Sequence, residues 1–194
     1  MSPTEPPPVD RTIVLVGLMG AGKSAVGRRL AARLNLPFID ADAEIAAAAG
    51  CSIPDIFDRH GEAAFRAGER RVIARLLEQR QHVLATGGGA FMDLETQARI
   101  REKAISVWLR VELDVLAERV ARRKNRPLLK DGDPREILKG LIETRYPVYA
   151  EADIIVDSGA GPHEAVVVRI VEALADFASG ERRRGGRSAA EASS

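Results

Sequence analysis

Cysteine is almost missing from this chain. Cys51 stands alone among 194 residues, so an internal disulfide is excluded and a reducing cytoplasm is the expected setting. Histidine is nearly as scarce, and its three scattered copies give no metal-ligand spacing. An excess of charge of either sign is missing too. With 29 basic and 28 acidic residues the formal charge is +1, so no overall field would recruit nucleic acid or an acidic membrane, and anion binding must be local. No apolar run approaches the length of a membrane span. Residues 1–10 carry four prolines, and acids in place of a basic region and an apolar core, so they are expected to be a disordered lead-in and not a signal peptide or anchor. The length fits one domain, large enough to bury about 70% of its unfolded surface.

Glycine, by contrast, is concentrated where it carries information. Gly17 to Ser24 reads GLMGAGKS, fits G-x-x-x-x-G-K-[ST], and follows the apolar run Thr12 to Val16 without a gap. A buried strand, a glycine-rich turn and a helix start aim several backbone N–H groups at one spot, which suits a polyphosphate. Gly17, Gly20 and Gly22 let the backbone curl close to the phosphates. Lys23 can reach the β/γ-phosphates, and the Ser24 hydroxyl can ligate Mg²⁺.

Periodicity organises the rest. Val26, Leu30 and Leu34 recur at helical spacing, ending near Asn35, and Pro37 to Ile39 makes a short second strand that runs into Asp40-Ala41-Asp42. In a parallel α/β sheet the carboxyl ends of strands face the ligand crevice, so both acids belong near the phosphates. Asp42 to Ala49 reads as helix, broken at Gly50. Ser52 resembles the N-cap of a restart, and a longer helix is expected from about Glu62 to Arg80, with Phe65, Val72, Ile73, Leu76 and Leu77 on its apolar side and Arg66, Glu69 and Arg70 elsewhere. A third strand, His82 to Thr86, ends in Gly87-Gly88-Gly89, which is either a flexible loop or a backbone that something must approach closely.

Asp93 to Arg101 reads as helix, Ala104 to Leu109 as a fourth strand, and Glu112 to about Arg123 as helix. Strands alternating with helices imply parallel pairing and right-handed crossovers. Lys124 to Pro134 has no apolar period and carries Arg126, so it is a candidate lid over the phosphates or a solvated basic loop. Arg135 to Ala150 is expected to be helical, Asp153 to Val156 a fifth strand, and Pro162 to Phe177 the closing helix. From Ala178 onward the composition of Ala, Ser, Gly and Arg suggests a disordered tail.

The phosphate loop leaves the phosphoryl acceptor open, and the surrounding residues narrow it. No N-K-x-D segment is present for reading guanine, and the third strand ends in Thr86 and glycines instead of a Walker-B acid. The acids sit on the second strand, as in small-metabolite kinases. One can hold water on Mg²⁺ while its neighbour orients or deprotonates a hydroxyl, tasks that suit Asp40 and Asp42. Arg66 and Arg145 would suit a carboxylate-bearing acceptor if they converge. Taken singly, each is more often a surface arginine.

GLMGAGKS, Asp40-Ala41-Asp42, Phe65-Arg66 followed by Glu69, Thr86-Gly87-Gly88-Gly89, Arg126-Pro127-Leu128-Leu129 and Arg145-Tyr146-Pro147-Val148-Tyr149 occur in the order and spacing of shikimate kinases. The resemblance covers about Asp10 to Phe177. It implies an α/β fold, a three-layer P-loop kinase of the nucleoside-monophosphate-kinase type with a five-stranded parallel sheet and a mobile lid. It divides the chain into a lead-in at 1–10, a kinase domain at 11–177 and a tail at 178–194. The implied reaction moves the ATP γ-phosphoryl group to the 3-hydroxyl of shikimate, in the pathway to chorismate and the aromatic amino acids. By that resemblance Asp42, Arg66, Gly88 and Arg145 are the shikimate contacts, and Asp42 is also the candidate general base. Ser24 is the direct Mg²⁺ ligand, and Asp40 reaches the ion through water. Gly20, Ala21, Gly22, Lys23, Ser24 and Ala25 line the ATP phosphates, with Lys23 catalytic. Arg126 resembles the lid arginine on the transferring phosphate, and Arg119 the residue that stacks on adenine.

Two features depart from the family pattern: Ala25 replaces a common threonine, and the loop Asp157 to Pro162 lacks an arginine often found there. The expected partners are shikimate and ATP, with no nucleic acid and no membrane, and the expected state is a cytoplasmic monomer. The rivals are a gluconate-type kinase of the same fold, which the triple glycine and Phe65-Arg66 oppose, and a catalytically silent nucleotide-binding protein, which should have lost Lys23, Asp42 or one of the arginines.

Overall fold

The computed structural model describes residues 9–121 and 133–191. Its centre is β1 (Thr12–Val16), five consecutive buried residues rich in β-branched side chains, as a strand covered on both faces requires. It pairs in parallel with β3 (Val83–Ala85) on one side and β4 (Ala104–Arg110) on the other, with Val14 opposite Leu84 and Ser106. Adding β2 (Phe38–Asp40) and β5 (Ile154–Asp157) gives a five-stranded parallel sheet in the order β2-β3-β1-β4-β5. The chain therefore leaves β1 toward one edge and later crosses to the other, which opens a crevice at the carboxyl end of β1.

Seven helices flank the sheet among the described residues. α1 (Lys23–Leu34) buries Val26, Leu30 and Leu34, the expected stripe, and stops at Asn35 in the left-handed region. α2 (Ala41–Ala49) begins at an Asp40 cap and ends at Gly50. Ser52 caps α3 (Ile53–Leu77) through a reciprocal capping box with Asp55. The expected gap between restart and long helix is instead a kink at Gly61, φ 78° and ψ 173°, inside one element. α4 (Leu94–Lys103), α5 (Leu113–Ala121) and α6 (Pro134–Tyr149) fall close to their expected bounds.

α7 (His163–Glu191) runs beyond the Phe177 boundary read from the apolar period. Phe177 is the last of its described side chains to pack on the core, and the alanine, glutamate and arginine that follow are good helix formers without an apolar stripe. α1 packs on α7 and β3, α3 on α2 and α4, and α5 on α6. Among the described residues no helix is long and apolar enough to cross a membrane. Arg126 and the lid expected from Lys124 lie outside the described residues, apart from Asp133 and Pro134.

The turn leaving β1 has no freedom to accept a side chain. Gly17 has φ 137°, and a Cβ there would stand 2.9 Å from the backbone oxygen of Leu109 on β4. Neither group can swing aside, because both belong to the strand framework. Gly17→Ala is therefore expected to lower stability by about 1–3 kcal/mol in urea unfolding, and an unchanged midpoint would contradict this packing.

Candidate active site

Gly22 precedes α1 without a side-chain cap, so the first N–H groups of the helix face the turn that β1 feeds. The Lys23 ammonium folds back and donates to the carbonyls of Gly17 (2.6 Å) and Leu18 (2.9 Å). The Ser24 hydroxyl donates to Asp40 Oδ2 at 2.7 Å. Asp40 also caps α2, its Oδ1 accepting the Asp42 N–H at 3.1 Å. One carboxylate thus joins the phosphate loop to the second strand and aims the first turn of α2 at the same crevice. That crevice, about 680 Å³, is walled by Lys23, Asp40, Asp42, Gly88, Arg119 and His163 among others.

The triple glycine is the opposite wall, and each position admits a different neighbour. A Cβ on Gly87 would lie 2.9 Å from Glu69 Oε1 and 3.0 Å from Asp42 Oδ1. On Gly88 it would crowd the Met19 amide at 3.3 Å and the Arg145 guanidinium at 3.5 Å. On Gly89 it would collide with the Arg66 guanidinium at 2.5 Å. Side chains would expel an acid pair, the phosphate loop and two arginines in turn, so close approach is the correct reading of this segment. Thr86 anchors the turn, its N–H and hydroxyl both donating to the Leu15 carbonyl.

Arg66 and Arg145 therefore do converge, at the adjacent Gly89 and Gly88. Arg66 Nη1 donates to Glu69 Oε2 at 2.7 Å. Glu69 is 3% exposed, so the residue read as lying off the apolar side of α3 is buried beneath the site. The pair is lopsided in charge. Burial opposes the Arg66 charge, but Glu69 and Glu62 outweigh it and hold the guanidinium above its usual range. For Glu69 burial wins over Arg66, with Asp42 and Asp93 adding repulsion, and its carboxyl lies above the ordinary value of 4.5. The asymmetry follows exposure, 29% for the Arg66 side chain against 4% for that of Glu69.

Arg145 Nη1 donates to the Gly88 carbonyl at 3.0 Å, and the Tyr149 hydroxyl donates to the same oxygen. Burial pushes the Tyr149 hydroxyl up to about 12, so it remains a donor throughout the physiological range. The sequence offered a sign of each supporting residue: Glu69 lies three positions after Arg66, and Tyr149 four after Arg145, the spacings at which helical side chains meet.

Arg119, expected from resemblance to stack on adenine, has backbone partners at the edge of the same crevice. Its guanidinium donates to the carbonyls of Gly20 and Ala21, 3.4 Å each, and to that of Gly159. Burial holds it below the usual arginine range, with Glu118 offsetting part of the effect. It thus clips the loop Asp157 to Pro162 to the phosphate loop, while Ser158 reinforces the clip by donating to Ala21 O at 3.3 Å. Ala21 serves through its backbone and is itself buried. His163, which no sequence pattern singled out, lays its ring 3.1 Å from where a Gly22 Cβ would be.

The raised Glu69 value fixes a pH dependence. The folded state holds this proton more tightly than the unfolded chain, so this group makes stability fall as pH rises from 4.5 through the folded value. Glu69→Gln removes that slope. Denaturant midpoints across this window should rise relative to the parent as pH increases, and parallel profiles would show that the carboxyl is unperturbed.

The chain matches the family model "Shikimate kinase" over residues 19–175. It is 62% identical over 169 residues to a shikimate kinase of Paramagnetospirillum magneticum, covering 87% of each chain. Its fold superposes on a shikimate kinase from Acinetobacter baumannii in complex with shikimate with TM-score 0.80 and 37% identity, over 84% of this chain and 91% of the other. A gluconokinase from Sinorhizobium meliloti shares the fold at TM-score 0.60 and 24% identity, over 90% and 97%. Sheet order, phosphate loop, converging arginines and these likenesses agree: the chain belongs to the shikimate kinase family.

Proposed function

We propose that this enzyme transfers the γ-phosphoryl group of ATP to the 3-hydroxyl of shikimate, giving shikimate 3-phosphate and ADP. The observation that carries the reading is the Gly87 to Gly89 turn, which gathers Asp42, Arg66 and Arg145 within reach of the phosphate loop. Two planar guanidinium groups suit a ring carboxylate, and an acid between them and the phosphates suits a ring hydroxyl.

Phosphoryl transfer needs placement and charge stabilisation more than covalent help. Lys23 donates to the carbonyls of Gly17 and Leu18, and the charged oxygens of ATP would add direct ionic attraction that draws the ammonium to the β/γ-phosphates. Asp42 holds the acceptor hydroxyl and takes its proton as the new P–O bond forms. Arg126, by family resemblance, meets the transferring group. Arg119 and the loop it clips form the nucleotide wall. Ser24 and Asp40 offer a hydroxyl and a carboxylate, hard oxygen donors that fit Mg²⁺ held by few protein ligands, water and phosphate. Bound there, Mg²⁺ would neutralise charge on the β- and γ-oxygens. A single cysteine and a small-metabolite substrate support a cytoplasmic setting.

A coupled ADP-release assay should give turnover with shikimate and none above background with gluconate; turnover with gluconate alone would reject the assignment. In the same assay Asp42→Asn is expected to lower kcat by about 10²–10⁴ while ATP affinity stays within about twofold. Normal turnover by that variant would remove Asp42 from the chemistry.

A further inference from the structure

We propose that Tyr149 is a positioning residue for the acceptor subsite, holding the Gly88 carbonyl so that Arg145 can turn from that oxygen to the substrate carboxylate. The inference rests on the shikimate reading above and concerns a fully buried residue behind the cavity wall.

Three carbonyls in the glycine turn need partners. That of Gly87 accepts the Ala90 N–H at 3.2 Å, and that of Gly89 accepts the Met92 N–H at 3.1 Å. The Gly88 carbonyl is held instead by α6, through the Tyr149 hydroxyl and Arg145 Nη1 at 3.0 Å. A carbonyl has two lone pairs, so the two donors share it without competition. If Arg145 alone held this oxygen, moving to a ligand would leave a half-buried acceptor at the cavity wall without its partner just as the ligand displaces water there, and that cost would be subtracted from substrate affinity. Tyr149 removes the penalty and keeps the peptide plane fixed, and with it the direction of the Gly89 N–H on the same plane.

Tyr149 is built for the task. It is fully buried, and its ring lies 5.9 Å from Trp108 and 6.2 Å from Tyr146, centroid to centroid. Tyr146 in turn meets Trp108 edge to face at 4.9 Å and donates its hydroxyl to the Val111 carbonyl. This aromatic cluster fixes the Tyr149 hydroxyl while Arg145, four residues earlier on α6, keeps a flexible stem. Tyr146 supplies a matched control, a hydroxyl on a backbone carbonyl that is not part of the glycine turn.

Tyr149→Phe should raise the KM for shikimate about tenfold, equivalent to about 1.4 kcal/mol, and leave the KM for ATP unchanged. Tyr146→Phe should leave both constants near wild type even where its thermal melting falls as far. In an Arg145→Ala background, Tyr149→Phe should add little to the shikimate KM, because the two side chains touch each other and meet on one oxygen. Equal KM values for the two phenylalanine variants, a parallel rise for ATP, or full additivity with Arg145→Ala would each overturn the proposal. NMR of the wild type gives a reading independent of variant folding: the Tyr149 hydroxyl proton should stay protected from exchange as shikimate is titrated while the Arg145 Nη resonances shift. Loss of that protection would overturn it as well. Wild-type enzyme with no shikimate turnover would sink the functional reading itself, a different result from turnover with an unaltered Tyr149→Phe.

Discussion

The backbone from Gly87 to Gly89 occupies the point where a phosphate loop, an acid pair and two arginines meet, and its lack of side chains decides that they can meet at all. Glu69 and Asp42 crowd the first glycine, Met19 and Arg145 the second, and Arg66 the third, each within 2.5 to 3.5 Å of where a Cβ would be. Parallel pairing of β1 with both β3 and β4 sets that turn beside the phosphate loop, since the two leave the sheet from neighbouring strand ends. A single backbone segment thereby fixes the separation between the phosphate loop and the two arginines, which in the proposed reaction is the distance between donor and acceptor, the quantity that a transfer reaction depends on most.

The charges around the turn are arranged so that ligands improve their pairing. Lys23 donates to two backbone carbonyls and Arg145 shares a carbonyl with Tyr149, so in the proposed reaction a phosphate at the first and a carboxylate at the second would each add ionic attraction. Arg66 differs, because the buried Glu69 already partners it at 2.7 Å. That pair fixes the guanidinium plane at the expense of a raised carboxyl, a local conflict of the kind that binding sites keep and cores avoid.

Much of this was legible in the sequence, for definite reasons. β1 reads as a continuous β-branched run because it is buried on both faces, and GLMGAGKS reads as a phosphate loop because every fixed position has steric or charge work. The joining of two helices at Gly61 was not legible, since a glycine punctuates a kink and a break alike. Periodicity placed Glu69 off the apolar stripe correctly but could not tell an exposed face from one lining a cleft. Arg119 was read as a stacking residue from resemblance alone, and only tertiary packing reveals its grip on the carbonyls of Gly20, Ala21 and Gly159. His163 reaches Gly22 across most of the chain, a contact no local pattern encodes.

The most direct test of the account is a crystal structure with ADP and shikimate bound together. It predicts the ring carboxylate between Arg66 and Arg145 over Gly88, a ring hydroxyl on Asp42, and the diphosphate along Gly20 to Ser24. Shikimate seated elsewhere, such as the groove lined by Cys51, His60 and Phe65 between α2 and α3, would contradict it.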